Sequence, residues 1–175
     1  YNNSDECLKM GKEKIFRFET EFKYSSTVKI KEKTAVLKSL KIKSMEIESE
    51  LVTSKHITMQ VFHSLAIAHN KSIIYVNELI YYDFNYGDDY FLIERKRDDV
   101  FLHTGDVKDK IIAIRNNLFD IDKSKPKHIC SISSYTAKEL HVIADKLKIE
   151  KTLANKPLTK PLLYAEIVIK LGKLT

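Results

Sequence analysis

Residues 86–99, YGDDYFLIERKRDD, combine acidic and basic side chains in a pattern that could support hydrolysis of a phosphodiester bond. Glu94 and Lys96 lie two positions apart in a segment typical of a β-strand, so both side chains should project from one face of it. Glu94 could bind a divalent metal ion, and Lys96 would then orient the attacking water. The acidic residues that could complete such a metal site are Asp83, Asp88 and Asp89.

The same stretch resembles a motif of the structure-specific endonucleases of the flap and fork type. The matching residues are Gly87, Asp88, Glu94, Arg95, Lys96 and Asp99. The interval between the Gly-Asp pair and the glutamate is shorter here than that family usually shows. The resemblance implies a metal-dependent nuclease. We rank this hypothesis third, after the two non-catalytic functions described below.

A charged hairpin is the simpler interpretation of this stretch. The sequence ERKRDD, residues 94–99, would end one strand and begin the next, with opposite charges near each other. Residues 61–122 carry seven basic and eleven acidic side chains, a net charge of −4. Such a surface is poor for binding DNA unless a metal ion offsets the charge. We therefore predict that the protein is not an enzyme and has no catalytic residue, metal ligand or cofactor.

Lysines dominate the end of the chain. Residues 123–175 carry eleven basic and four acidic side chains, a net charge of +7, whereas the whole chain is +6. A basic tail on a nearly neutral body is typical of a segment that binds a polyanion, although a solvated lysine-rich face has the same composition. The lysines that we expect to contact phosphate are Lys138, Lys148, Lys151, Lys156 and Lys160.

Two short amphipathic helices should position these lysines. Thr136 and Glu139 fit a capping box at the start of the first helix. Thr159 is the candidate N-cap of the second helix, with Pro161 tolerated in its first turn. The apolar residues at helical spacing are Leu140, Ile143, Ala144 and Leu147 in the first helix, and Leu162, Leu163, Ile167 and Leu171 in the second. Because two short helices bury little surface alone, their apolar stripes must pack on each other, with the body as a further support.

Residues 133–173 resemble the SAP-like and Rho-N-like modules, which consist of a helix, an extended loop and a helix. The matching patterns are T-x-x-E-L-x-x-I-A-x-x-L-x-I, from Thr136, and L-T-K-x-x-L, from Leu158. Such modules commonly bind nucleic acid, so the resemblance implies that a helix N-terminus and nearby lysines face the phosphate backbone. Ala154 and Asn155 stand in the loop where the module usually has glycine, which leaves the loop geometry open. Docking of the helix pair on a protein is the alternative function.

The residues before this module predict an α+β body. Residues 12–24 alternate apolar and polar side chains, which favours a strand or an extended arm. Residues 72–104 are rich in β-branched and aromatic side chains and predict an antiparallel meander of three or four strands. Residues 107–121 are ambiguous between a helix and a strand. Helices are predicted in the second half of 28–40, at 45–52 and at 59–70, the last of them capped by Thr58.

The predicted organisation has two domains. The α+β body covers residues 1–122, with a helical part at 26–70 and the meander at 72–104, and the helix-loop-helix module covers 129–175. A basic linker, residues 122–128, joins them. The chain contains no run of about 18 apolar residues, so we expect no membrane span. Because the chain does not begin with Met, we expect it to be a fragment or a processed product.

Most of the chain is similar to an uncharacterised protein family of nucleocytoplasmic large DNA viruses. The resembling segments are LKSLKIKSMEIESEL, ITMQVFHSLAIAHNKSIIYVNELIYYDF, and SISSYTAKELHVIADKLKI followed by LTKPLLY. The resemblance implies a viral protein of the host cytoplasm, acting in the viral factory, or a protein of the virion, with nucleic acid and viral proteins as partners. We expect a non-catalytic nucleic-acid-associated or virion-scaffolding protein.

Overall fold

The protein has an α+β fold, as predicted. The structure is a computed structural model that describes residues 12–54, 56–121, 123, 128–153 and 156–175. These residues form seven α-helices and a five-stranded mixed sheet. The chain divides into two compact units, Tyr1–Asn70 and Lys71–Thr175.

The described residues of the first unit form helices joined by short turns. Its helices are α1 (Lys12–Glu32), α2 (Thr34–Ser39), α3 (Ser44–Thr53) and α4 (Met59–Ala68). The prediction of a strand or extended arm at 12–24 was wrong, because this segment belongs to α1. Ile15, Phe18, Phe22, Ser26 and Ile30 follow one another at intervals of three and four, which places them on one helical stripe. Ser26 and Ile30 at the end of that stripe are completely buried.

The start of α4 is capped as predicted. The Thr58 hydroxyl accepts a hydrogen bond from the Val61 backbone N–H over 3.4 Å. The Glu50 carboxylate accepts from the Thr58 backbone N–H over 2.6 Å, which fixes the capping residue in turn. The helix ends at Ala68, and Asn70, the last residue of the predicted range 59–70, takes a left-handed conformation with φ 48°.

The second unit contains the mixed sheet. Its strands are β1 (Ser72–Asn77), β2 (Ile80–Phe84), β3 (Tyr90–Lys96), β4 (Asp99–His103) and β5 (Phe119–Asp120), in the order β4-β3-β1-β2-β5. The pairs β1–β2 and β3–β4 are antiparallel hairpins, whereas β1–β3 and β2–β5 are parallel. Four strands therefore occupy the predicted region 72–104, but the prediction of an all-antiparallel meander was wrong.

A buried serine explains the parallel pairing of β1 with β3. Ser72 is completely buried at the start of β1, and its hydroxyl accepts hydrogen bonds from the backbone N–H groups of Tyr86 (3.0 Å) and Gly87 (2.8 Å). The loop after β2 is thereby held across the beginning of β1. Consequently β3 starts at the same end of the sheet as β1 and runs parallel to it.

Helix α5 (Lys108–Asn117) connects β4 with β5, so the ambiguous segment 107–121 forms a helix followed by a short strand. This helix packs on one face of the sheet. The core cluster at this contact consists of Ile74, Val76, Tyr81, Leu92, Val107 and Ile111.

The C-terminal segment forms the two predicted helices. After a 3-10 turn, Ile132–Ser134, its elements are α6 (Ala137–Lys146), β6 (Thr152–Leu153), β7 (Lys156–Pro157) and α7 (Lys160–Leu174). Strands β6 and β7 pair antiparallel, so a short β-ladder replaces the expected extended loop. Ala154, Asn155 and most of the predicted linker lie outside the described residues. The segment belongs to the same compact unit as the sheet, and its independence as a domain stays a prediction.

Candidate nucleic-acid interface

The N-terminus of α6 is closed by a capping box, as predicted. The Thr136 hydroxyl accepts from the Glu139 backbone N–H over 3.2 Å, and the Glu139 carboxylate accepts from the Thr136 backbone N–H over 2.7 Å. The Glu139 carboxylate also accepts from the Thr136 hydroxyl over 2.9 Å. The two bonds that this carboxylate accepts, first the one from the Thr136 backbone, hold the pKa of Glu139 below its ordinary value, and Lys160 adds a smaller electrostatic contribution. Because its own carboxylate occupies this helix end, α6 offers little to an external anion.

Both helices begin at the same end of the module. The Cys130 backbone N–H donates to the Tyr135 hydroxyl over 3.1 Å, just before α6. The Cys130 carbonyl accepts from the Tyr164 hydroxyl over 2.9 Å, near the start of α7. The segment that precedes α6 therefore lies beside the first turns of α7. Lys138 and Lys160, each near the start of its helix, are thereby placed at one end of the module.

The start of α7 differs from that of α6. Thr159 stands at the N-cap position, as predicted, but its side chain makes no capping hydrogen bond, and no side chain among the described residues replaces it. Pro161 in the first turn has no N–H to satisfy. The helix dipole and the remaining N–H groups of this turn are thus available to an anion.

The two helices pack through their apolar stripes. The side chains that are buried almost completely are Leu140 and Ala144 in α6, Leu147 at its C-cap, and Leu163, Ile167 and Leu171 in α7. Ile143 is half-buried. The placement of Leu162 on the apolar stripe was wrong, because Leu162 is 53% exposed and Leu174 completes the stripe instead. The stripe of α7 follows intervals of four, four and three from Leu163, which turns Leu162 towards solvent.

Lys148 ends α6 in a conformation that glycine usually takes. Its φ is 53°, in the left-handed region, and the Ile149 backbone N–H donates to the Ala144 carbonyl over 2.9 Å. In this module Lys148, directly after the helix, therefore takes the left-handed conformation that glycine takes at many helix ends. Its side chain is exposed.

The other predicted lysines differ in their surroundings. Lys156 is exposed on β7, and Lys160 is half-buried. Lys151 Nζ lies 2.5 Å from Asp145 Oδ1, so this charge is partly neutralised within the module. The predicted set thus contains one lysine with an acidic partner and four with no ion pair among the described residues.

Sequence reasoning missed two contacts that fasten the module to the sheet. Lys146 Nζ donates to the carbonyls of Arg115 (3.2 Å) and Leu118 (3.0 Å), at the end of α5. Asn77 Nδ2 donates to the Leu174 carbonyl over 2.8 Å, at the end of α7. A basic residue in the last turn of α6 was visible in the sequence, but its partners are about 30 residues away. Lys146 is therefore an anchor rather than a free charge.

The glutamate of the possible nuclease site is engaged by basic neighbours. Glu94 Oε2 lies 3.0 Å from His103 Nε2, and Glu94 Oε1 lies 3.2 Å from Lys96 Nζ, so Glu94 and Lys96 do share a face of β3. Burial alone would raise the pKa of Glu94, but the hydrogen bonds from His103 and Lys96 hold that pKa below its ordinary value.

The acidic residues proposed as partners of Glu94 do not join it. Asp83 Oδ2 lies 2.7 Å from Arg115 Nη2, and the Tyr90 hydroxyl lies 3.1 Å from the same guanidinium nitrogen. Asp88 and Asp89 lie in the loop before β3. Within the described ranges, no group of three or more His, Cys, Asp or Glu side chains is arranged to hold a metal ion.

Comparison with known proteins adds no relative. No family model matches the chain, and no match is found among curated proteins or solved structures. The described part of the chain contains no helix both long enough and apolar enough to cross a membrane. Function must therefore be inferred from the residues and contacts given above.

Proposed function

We propose that the protein is a non-catalytic, nucleic-acid-associated protein of a large DNA virus, located in the cytoplasmic factory or in the virion. The segment α6–β6–β7–α7 would contact the phosphate backbone. The observation that carries this proposal is the common end at which both helices begin, because it combines Lys138, Lys160 and the uncapped start of α7. Lysines and helix N-termini are frequent phosphate contacts in such complexes.

The charge of the segment supports this proposal. Residues 129–175 contain eight lysines and four acidic residues. Of the acidic residues, Glu139 is committed to the capping box and Asp145 to Lys151. Lys138, Lys148, Lys156 and Lys160 supply the positive charge that a polyanion would meet. Contacts of this kind give affinity with little discrimination between base sequences.

Fluorescence anisotropy with a labelled DNA duplex and a labelled single-stranded RNA tests the proposal on the full chain. Replacing both Lys138 and Lys160 by glutamine should weaken binding at least ~10-fold, because two phosphate contacts are lost. The control replaces Lys14 and Lys38 by glutamine, two exposed lysines of the first unit, with the same change of net charge. Equal losses in both variants, or no binding by the unaltered chain at low salt, would refute a localised interface.

A protein-docking role is the second candidate, and exposed apolar side chains favour it. Val142 on α6 is 57% exposed, and Leu162 and Ile169 on α7 are 53% and 51% exposed. A viral or virion protein could cover them. Replacing Leu162 by glutamate would then abolish incorporation into particles while leaving the anisotropy titration unchanged, whereas the opposite pattern would exclude this role for Leu162.

A further inference from the structure

Strand β4 carries an unusually apolar edge. It is the last strand on its side of the sheet, and among the described residues it pairs only with β3. Three successive side chains on it are exposed: Val100 by 62%, Phe101 by 47% and Leu102 by 39%. Edge strands usually carry charges, proline or a bulge that prevents further pairing. On β4 the charged side chains stand only at the ends, so its centre can accept another strand.

The hairpin geometry fixes which backbone groups of β4 point outward. Strands β3 and β4 are joined by a two-residue loop, Arg97 and Asp98, with Lys96 opposite Asp99 and a left-handed Arg97 at φ 56°. The residue pair that closes such a loop exchanges backbone hydrogen bonds, and the pattern then alternates along the ladder.

The alternation divides β4 into two sets of residues. Asp99, Phe101 and His103 direct their N–H and C=O groups to β3. Val100 and Leu102 direct theirs away from β3, where they can bond to an added strand. A partner strand that runs antiparallel must therefore place its own outward-pointing residues opposite Val100 and Leu102.

We propose that a second copy of this chain pairs with β4, antiparallel, about a two-fold axis at Phe101. In this register Val100 of each copy lies opposite Leu102 of the other, and the two outward-pointing residues exchange both backbone hydrogen bonds. The two Phe101 side chains become neighbours at the axis. The proposal goes beyond nucleic-acid binding, which is assigned to other elements.

The charges at the ends of β4 identify a second copy as the occupant. The same register places Asp99 of each copy opposite His103 of the other. His103 has a basic neighbour, because Lys110 Nζ lies 3.4 Å from its Nδ1, while its Nε2 is bound to Glu94. Asp99 of the second copy would thus face His103 with Lys110 beside it, next to the Glu94 carboxylate that His103 already binds. The strand has Asp99 at one end, apolar side chains in the middle and His103 at the other end, with Lys110 of α5 beside it, so the acid of one copy meets the lysine of the other when the strand is reversed.

Sedimentation velocity on the full chain over a range of concentrations tests the pairing. The unaltered chain should move towards twice the monomer mass below ~200 μM, and Val100→Lys should shift this transition to at least ~10-fold higher concentration. Val52→Lys is the matched control, since Val52 is a valine of similar exposure, 60%, on α3. A chain that stays monomeric at the highest concentration, or equal effects of both variants, would overturn the proposal.

Disulfide formation tests the register independently of dimer strength. In a background with Cys7 and Cys130 replaced by serine, Phe101→Cys should crosslink two copies under mild oxidation, because Cβ atoms across such a pair lie about 5 Å apart. Val100→Cys should not crosslink to itself, because it faces Leu102. Equal crosslinking of the two variants would contradict a two-fold axis at Phe101.

Discussion

At the scale of single residues, the chemistry of the C-terminal segment depends on what each side chain already contacts. Lys146 and Lys151 look like their neighbours in the sequence, yet one is bound to backbone carbonyls and the other to a carboxylate. Lys148 holds a strained backbone conformation that the sequence did not reveal, because no glycine marks it. Charge counting alone therefore overestimates the number of free cations.

Lys148→Gly should stabilise the protein. Glycine adopts a left-handed φ without steric cost, so the free energy of unfolding should rise by about 0.5–1 kcal/mol in a urea titration. Lys148→Gln removes the same charge but keeps a side chain in the strained position, and it should give no such gain. Equal stabilities of the two variants would show that the backbone of Lys148 is not strained.

The paired Glu94 predicts an acid-sensitive contribution to stability. Its pKa is lower in the folded protein than in the unfolded chain, so the stabilisation is fully present above the ordinary glutamate pKa of about 4.3 and disappears as the pH falls through the folded-state value. Urea titrations between pH 6 and pH 3 should therefore show a smaller loss of stability for Glu94→Gln than for the unaltered chain. Parallel pH profiles would refute this contribution.

At the scale of elements, local signals predicted the helix ends better than the strand pairing. The capping box of α6 lies within four residues, and the sequence contained all of it. The prediction for residues 12–24 was wrong because some aromatic residues there lie two positions apart, which is typical of a strand. The same segment also has apolar residues at intervals of three and four, which is the helical pattern that the structure shows. The parallel pairing of β1 with β3 depends on Ser72 contacting residues 14 and 15 positions away, which no local pattern indicates.

The two helix starts should respond differently to the same substitution. Thr136→Ala removes a hydroxyl that caps α6 and should lower the free energy of unfolding by about 1 kcal/mol. Thr159→Ala removes a hydroxyl that makes no capping bond at α7, so it should cost much less. Chemical denaturation of both variants checks this, and an equal cost would mean that Thr159 caps its helix in solution.

Ser72 should be essential for the order of the strands. Ser72→Ala leaves two backbone N–H groups without their acceptor and should cost about 2–3 kcal/mol, measured by urea unfolding. Ser131→Ala, an exposed serine of the same unit, is the control and should be nearly neutral. A neutral Ser72→Ala would indicate that the loop after β2 is held by other contacts.

At the scale of the whole molecule, the α+β class and the two C-terminal helices followed from composition, periodicity and capping. The candidate nucleic-acid interface was predicted as a set of five lysines, of which Lys138 and Lys160 are brought to one end by contacts of Cys130. The contact between the Cys130 carbonyl and the Tyr164 hydroxyl joins residues 34 positions apart through a backbone group, so a pattern of side chains could not predict it.

The salt dependence of nucleic-acid binding tests the central claim most directly. Anisotropy titrations of the full chain against a DNA duplex at several salt concentrations give the slope of log affinity against log salt. Four phosphate contacts predict a slope of roughly −3 to −4, and replacing Lys138 and Lys160 by glutamine should make it shallower by about 2. Replacement of Lys14 and Lys38 should leave the slope unchanged. A slope that is the same in all three proteins would contradict an interface at the start of α6 and α7.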